Sequence, residues 1–163
     1  MIILTIGTFD GLHVGHLELL RASRQMVGDG RLVVSVNTDE FVTAYKGHPP
    51  THPYPHRVEM VDALRIVDLV VPNIGGPDAR QIIAAIDPDL LTIGEDWLDP
   101  GNDEARYFRQ LGVTPEWMAE RHLRVAYIPR TRGVSSSALR DALIGPEPPR
   151  PTWRVEAGRV VHT

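Results

Sequence analysis

Five short apolar segments recur along the first 128 residues, and polar or amphipathic sequence separates each segment from the next. The segments are Ile2–Ile6, Leu32–Val36, Asp68–Val71, Leu90–Ile93 and Leu123–Ile128. Nearly continuous apolar runs of this length are typical of strands buried on both faces of a parallel sheet. The sequence between them predicts helices at Leu17–Met26, about Thr38–Tyr45, Arg57–Val67 and Asp78–Ile86. Alternating strands and helices predict an α/β domain around a doubly wound, five-stranded parallel sheet.

Length and composition indicate a single globular domain. The chain has 163 residues, no cysteine and a formal net charge of −4. The lack of cysteine excludes disulfides and thiolate chemistry, and the acidic balance argues against a general nucleic-acid-binding protein. No apolar run approaches the ~20 residues of a membrane span, and we expect a cytoplasmic protein. Residues 1–145 are assigned to the domain, and residues 146–163 to a Pro-rich linker and a tail, in which Trp153–Val161 is predicted to form a hairpin.

A glycine-rich turn follows the first predicted strand, in the segment GTFDGLHVGH at residues 7–16. His13 and His16 are three residues apart at the predicted start of a helix. Free backbone N–H groups and two imidazoles would surround one point at the carboxyl end of a strand, which is typical of a phosphate site. Gly15 would let a phosphate approach the backbone closely. Metal binding is the competing use of the histidines, but no third suitable ligand lies nearby in sequence, so we predict no metal site.

A second polar motif, PRTRGVSSS at residues 129–137, precedes a predicted helix at Ala138–Leu143. One of its serines is expected to cap that helix. Capping alone does not need an arginine, a threonine, a glycine and three serine hydroxyls together. Arg130, Thr131, Ser135 and Ser136 would supply a bidentate cation and hydroxyl donors beside free N–H groups, as a triphosphate requires.

Five motifs follow one another along the chain: GTFD with HVGH at residues 7–16, TDEF at 38–41, HR at 56–57, GEDW at 94–97 and RTRGVSS at 130–136. Together they resemble the cytidylyltransferase family, within the HxGH nucleotidyltransferase superfamily. The resemblance extends from Met1 to about Leu143. HxGH alone marks only the superfamily, whereas its combination with the last two motifs is more specific.

The resemblance implies a Rossmann-like enzyme that transfers CMP from CTP to a phosphorylated alcohol resembling glycerol 3-phosphate, releasing pyrophosphate. The catalytic residues would be His13, His16, Lys46 and Arg130. The nucleotide would be bound by Thr8, Phe9, Asp10, Val14, Gly15, Gly94, Asp96, Trp97, Thr131, Val134, Ser135 and Ser136. Arg57 and Arg80 would bind the acceptor, and Mg²⁺ would be held mainly by the nucleotide's phosphates. Family members are commonly dimers, which is consistent with a homodimer here.

The chain departs from the family pattern by an insertion at roughly Leu98–Arg121. Tyr107, Phe108 and Trp117 could dock this insertion as a lid over the acceptor site, or could serve surface packing alone. The Pro- and His-rich segment from Gly47 to Pro55 is predicted to be a loop, because its prolines disfavour both helix and sheet. His48, His52 and His56 are interpreted as solvated loop residues because their spacing is irregular.

Other functions stay open on the sequence alone. The context of Lys46-Gly47 and the segment Pro88–Leu91 also resemble adenylyltransferases that use ATP and a sugar phosphate. A nucleotide-binding regulator without turnover is a second alternative, although such a protein would be expected to lose some of the catalytic residues. A tRNA synthetase fragment shares HxGH, but the chain is too short and lacks the lysine-rich second signature of those enzymes.

Overall fold

The computed structural model describes residues 1–74, 78–98, 100, 104–130, 132–133, 135–136, 138–139 and 141, together with the backbone of residues 153–156 and 159–162. The predicted linker at residues 146–151 lies outside this part of the chain.

A five-stranded parallel sheet forms the centre of the molecule. Its strands are β1 (Ile2–Gly7), β2 (Arg31–Asn37), β3 (Leu69–Asn73), β4 (Leu90–Gly94) and β5 (Arg124–Ile128). All neighbouring strands run parallel, in the order β3-β2-β1-β4-β5. The chain moves outward from β1 to β3 and then returns to the other side of β1, so the strand order reverses between β1 and β4. The predicted Rossmann-like, doubly wound fold is confirmed.

Six helices are described between these strands. They are α1 (Val14–Val27), α2 (Asp39–Lys46), α3 (Tyr54–Asp62), α4 (Arg80–Ile86), α5 (Ala105–Leu111) and α6 (Pro115–Glu120). A short 3₁₀ turn, Glu95–Trp97, directly follows β4. Thr38 begins α2, because its Oγ1 accepts a hydrogen bond from the N–H of Phe41.

Successive residues of each strand enter two different apolar cores, one on each face of the sheet. On β1, Ile3 packs with Leu20 and Val61 from α1 and α3, whereas Leu4 packs with Ile83 and Phe108 from α4 and α5. Both faces of the sheet are therefore covered, which explains why the strands are apolar at almost every position.

The strand predictions agree with the structure to within two residues, whereas two helix predictions were wrong in their bounds. Helix α1 begins at Val14, three residues before the predicted start at Leu17. Helix α3 begins at Tyr54 and ends at Asp62, not at Arg57 and Val67. Pro55 lies in its first turn, where the missing N–H has no helical partner to lose. The proline therefore does not delay the start of the helix, although the sequence analysis assigned it to the preceding loop.

The tail contains the predicted hairpin, with antiparallel strands β6 (Trp153–Glu156) and β7 (Arg159–His162). None of the helices that the structure describes combines the length and apolarity needed to cross a membrane.

Candidate active site

The turn after β1 is held in a tightly constrained conformation. Phe9 has φ +53°, a left-handed conformation that a non-glycine residue rarely adopts. Its side chain is buried and folds back over Gly7, where an added Cβ would lie 2.9 Å from Phe9 Cε2. Only glycine at position 7 allows the ring to pack there. The buried ring of Phe9 also contacts His16, with the ring centroids 5.2 Å apart.

His13 and His16 cap the start of α1 reciprocally. His13 is the residue before the helix, and its Nδ1 accepts a hydrogen bond from the N–H of Gly15 at 3.1 Å. His16 Nδ1 accepts one from the N–H of His13 at 3.3 Å. The two rings stack with centroids 3.8 Å apart. Because each Nδ1 is an acceptor, a neutral ring carries its proton on Nε2, which is then a hydrogen-bond donor.

Both imidazoles are held in the neutral form at neutral pH. Burial, followed by the charge of His13, lowers the pKa of His16 to about 4, and the carboxylate of Asp10 only partly offsets this. Burial and the charge of Arg130 lower the pKa of His13. His13 and Arg130 line the same cleft, so the first and last polar motifs of the sequence are close together.

A cleft of about 740 Å³ opens at the carboxyl ends of the strands. The segments after β1 and β4 both line it, so it lies where the strand order reverses, the usual ligand position in such sheets. Its wall brings together most of the predicted site residues: Thr8, Phe9, Asp10, His13, Gly15, His16, Lys46, Gly94, Asp96, Trp97, Arg130, Ser135 and Ser136.

The segment after β5 is tied to the turn after β4. The N–H of Arg130 donates to Glu95 Oε1 at 2.9 Å. Ser135 starts a helical turn, because its Oγ accepts a hydrogen bond from the N–H of Ala138 and its carbonyl accepts one from Leu139. The predicted serine cap is therefore present. Thr131 and Val134 lie outside the described residues.

An aromatic surface forms the end of the cleft after β4. Arg106 on α5 lies over the ring of Trp97, with its guanidinium carbon 4.8 Å from the ring centroid, and its Nη1 donates to the Asp96 carbonyl at 2.8 Å. Gly94 leaves room for Asp96, whose Oδ1 would lie 2.5 Å from a Cβ at position 94. A planar aromatic face beside a cation is suited to stacking of a nucleobase.

Three of the predicted site residues that the structure describes do not line the cleft. Arg57 is 1% exposed, and its Nε, Nη1 and Nη2 all donate to protein oxygens. Arg80 forms an ion pair with Asp78 on the exposed surface of α4. Val14 is exposed at the first position of α1. The geometry therefore does not bring either predicted acceptor-binding arginine to the cleft.

Several residues of the wall were missed by the sequence analysis. Tyr45 and Asn37 both hydrogen-bond to Thr8 Oγ1, at 3.1 and 3.2 Å. Asn37 lies at the end of the second apolar segment, at the sheet edge where the sequence places candidate ligand contacts, but no role was assigned to it. Arg106 and Gln110 line the cleft from α5, and their spacing of four residues places them on one helix face. Nothing in the sequence shows whether that face of α5 lies toward the cleft or toward solvent.

The insertion contributes one wall of the cleft. Tyr107 and Phe108 are buried in the core on that face of the sheet, and Trp117 packs partly buried against it. These side chains anchor the insertion in the core, whereas its closure as a lid over an acceptor site stays a prediction. Anchoring by Tyr107 and Phe108 fixes α5, from which Arg106 and Gln110 line the cleft.

Two of the histidines interpreted as solvated loop residues have further roles in the structure. No group of three or more carboxylate or histidine side chains that could hold an ion occurs in the part of the chain that the structure describes. His52 lies in the loop with its side chain 45% exposed, and its ring also donates to Asp10 at 3.0 Å. His56 is exposed but lies in α3, not in the loop. Burial opposes ionisation of Asp10, but hydrogen bonds from Thr51 and His52 outweigh it and hold the pKa of Asp10 below its usual range.

Known proteins with similar sequences act in nucleotide chemistry. The chain is 33% identical to the glycerol-3-phosphate cytidylyltransferase of Staphylococcus aureus (strain NCTC 8325 / PS 47), over 88% of this chain and 95% of that protein. It is 40% identical to a FAD synthase of Pyrococcus abyssi (strain GE5 / Orsay), over 55% of this chain and 60% of that protein.

A solved structure and a family model also match the chain. A solved lipopolysaccharide core biosynthesis protein from Thermoplasma volcanium GSS1 superposes with a TM-score of 0.60 at 26% identity, covering 80% of this chain and 98% of that one. The model described as cytidylyltransferase-like matches residues 4–142. This chain therefore belongs to the cytidylyltransferase-like family and is a nucleotidyltransferase.

Proposed function

We propose that the enzyme transfers CMP from CTP to a phosphorylated alcohol similar to glycerol 3-phosphate and releases pyrophosphate. The observation that carries the proposal is the shared cleft, in which two neutral imidazoles face the same space as Arg130 and Lys46. The likeness to a glycerol-3-phosphate cytidylyltransferase over nearly the full length of both chains supports the choice of CTP and of this acceptor class.

The proposed nucleotide site follows the length of the cleft. Arg130, Ser135 and Ser136 would bind the β- and γ-phosphates, where a cation and the N-terminus of a helical turn favour negative charge. His13 and His16 would donate from Nε2 to oxygens of the α-phosphate. Trp97 and Asp96 would contact the base and the ribose at the other end of the cleft.

The reaction would proceed by in-line displacement at the α-phosphorus. A phosphate oxygen of the acceptor forms the new P–O bond, while the bond between the α-phosphorus and the bridging oxygen breaks and its electron pair leaves with pyrophosphate. The acceptor phosphate is already anionic near neutral pH, so no residue needs to remove a proton. Catalysis then depends on alignment and on stabilising the charge on the phosphoryl oxygens.

Lys46 would connect the two substrates. It lines the cleft from the last position of α2, and its side chain is exposed. A flexible ammonium there can neutralise both the attacking phosphate and the α-phosphate, which otherwise repel one another. This bridging role would place the acceptor at the mouth of the cleft beside α2.

Mg²⁺ is proposed to enter with the nucleotide. The donor set fits this mode, because the described residues offer no cluster of metal ligands and the carboxylate of Asp10 is already bonded to Thr51 and His52. The ion would neutralise charge on the leaving phosphates.

A second candidate is transfer of AMP from ATP. The likeness to a FAD synthase, whose product contains an adenylate group, favours it over part of the chain. One assay separates the candidates: purified protein, Mg²⁺, each of the four nucleoside triphosphates and a panel of phosphorylated alcohols, with pyrophosphate as the readout. Release with CTP and a glycerol-3-phosphate-like acceptor supports the proposal, release only with ATP supports the second candidate, and release with none contradicts both.

A further inference from the structure

The strained turn after β1 is held from both sides by residues distant in sequence. Phe9, with its left-handed backbone, lies between Thr8 and Asp10. Arg57 Nη1 donates to the Thr8 carbonyl at 2.6 Å. The Asp10 carboxylate accepts hydrogen bonds from the N–H groups of Thr51 and His52, at 2.7 and 2.9 Å. A backbone conformation of this kind persists only where the surroundings enforce it.

Arg57 joins three segments beneath the cleft. Besides Thr8, its Nε donates to the His52 carbonyl at 2.9 Å and its Nη2 to Asp39 Oδ1 at 2.7 Å. Asp39 Oδ2 in turn accepts a hydrogen bond from the N–H of Tyr54 at 3.1 Å. The guanidinium thus links the turn after β1, the start of α2 and the loop before α3.

The positions linked in this way lead directly to the proposed chemistry. The turn continues into His13 and His16, and the opposite end of α2 carries Lys46 into the cleft. Arg57 itself is 1% exposed and does not line the cleft. A fully buried cation is costly unless paired and hydrogen-bonded, and here the described partners are the turn after β1, the first residue of α2, the loop before α3 and the ring of Tyr54 at the start of α3.

We propose that Arg57, paired with Asp39, is a positioning residue that holds the strained turn in its active conformation and does not contact a substrate. This deepens the proposed function and rests on it. It also assigns Arg57 a role different from the acceptor binding that the sequence resemblance implies. The two roles make different kinetic predictions, because a residue that contacts the acceptor affects the acceptor's KM, whereas a residue that positions the turn affects the chemical step.

The test compares two conservative variants with a matched control. Arg57→Lys keeps the charge but loses the planar geometry, and Asp39→Asn weakens the pair while leaving Arg57 in place. The controls are Arg24→Lys and Asp68→Asn, which alter a second arginine–aspartate pair at the opposite edge of the sheet. If Arg57→Lys does not fold, Asp39→Asn still tests the proposal.

The first readout is amide hydrogen exchange, which needs no turnover. We expect exchange at residues 8–16 and at Thr51 and His52 to accelerate about tenfold or more in the two test variants and by clearly less in the controls. Unchanged exchange in the test variants would overturn the proposal. Equal acceleration in the controls would also overturn it, since the effect would then be a general loss of stability.

The second readout is steady-state kinetics. We expect kcat to fall about tenfold in the test variants with the acceptor's KM within twofold of its normal value. A selective tenfold rise in the acceptor's KM at unchanged kcat would instead show direct acceptor binding. If the unmodified enzyme releases no pyrophosphate with any substrate, the proposed function fails, and hydrogen exchange alone decides the role of Arg57.

Discussion

One arginine–aspartate pair lies at the amino ends of the parallel strands, the amino edge of the sheet, and another lies at their carboxyl ends, the carboxyl edge. The two pairs contact different parts of the protein. At the amino edge, Arg24 pairs with Asp68 and donates to the carbonyls of Ile66, Gly28 and Gly30. At the carboxyl edge, Arg57 pairs with Asp39 under the cleft. The Arg24 side chain is 26% exposed and links the loops that precede the strands, whereas the Arg57 side chain is 1% exposed.

We expect the two pairs to serve different properties, stability at the amino edge and function at the carboxyl edge. Both pairs form their hydrogen bonds within the protein, and Asp68 also accepts one from the N–H of Leu32. The carboxyl-edge pair supports a turn that aims the donors of His13 and His16 into an open cleft. Changes at the two edges should therefore affect different measurable properties.

The largest effect is expected for His16 at the carboxyl edge. His16→Ala should lower kcat by about 10²–10³, because it removes a donor to the developing charge. His16→Asn should lower kcat similarly, since its side-chain oxygen can still accept from the His13 N–H but it lacks the distal donor. The measurement is pyrophosphate release, with circular dichroism as the check on folding. Near-normal turnover in either variant would remove His16 from the catalytic residues.

A smaller effect is expected at the aromatic end of the same edge. Arg106→Ala should raise the KM for the nucleotide about tenfold at nearly unchanged kcat, because the turn carrying Trp97 and Asp96 loses its support. Arg109→Ala on the same helix is the control, since Arg109 does not line the cleft. A change confined to the acceptor's KM would show that Arg106 binds the acceptor.

Because the histidines are neutral in the folded protein, we expect the free energy of unfolding to decrease in acid. The pKa of His16 is about 4 in the folded protein, against about 6.5 in an unfolded chain. The unfolded state therefore binds more protons between these values, and the free energy of unfolding should fall by roughly 3 kcal/mol as pH drops from 6.5 to 4. In His16→Asn this dependence should be weaker. Urea unfolding at several pH values measures it, and equal slopes in both proteins would contradict the assignment.

The smallest effect is expected at the amino edge. Asp68→Asn should reduce the free energy of unfolding by about 1 kcal/mol, because the pair is partly exposed and solvent screens it. Its kcat and both KM values should stay unchanged. Thermal unfolding and pyrophosphate release measure these properties. A clear loss of kcat in Asp68→Asn would show that the two edges are not functionally separate.

The sequence predicted the sheet well because each strand has a local signal. Runs such as Leu32–Val36 are apolar at almost every position, which few other structures require. The turn that we propose to bind phosphate could also be located, since its glycines and histidines are adjacent in the chain. These features depend on neighbours within about ten residues, and pattern reasoning detects such neighbours.

The role of Arg57 could not be predicted from a local pattern. Its partners Thr8 and Asp39 are 49 and 18 residues away, and only the packed fold shows that they use the guanidinium. The cleft wall on α5 was missed for a similar reason, because the orientation of an inserted helix depends on how Tyr107 and Phe108 pack. The wrong predicted start of α3 has the opposite cause. The rule that proline disfavours helices was applied to Pro55, although proline is tolerated in the first turn of a helix.

The reciprocal capping of α1 has a consequence for how the enzyme would let its product go. Two stacked rings that both use Nδ1 inward supply donors without adding formal charge. Neutral Nε2–H groups can donate hydrogen bonds to phosphoryl oxygens as negative charge builds up on them. They attract the departing pyrophosphate less at long range than fixed cations do. With pyrophosphate as the leaving group, turnover would be less limited by dissociation than in a pocket built only of fixed cations.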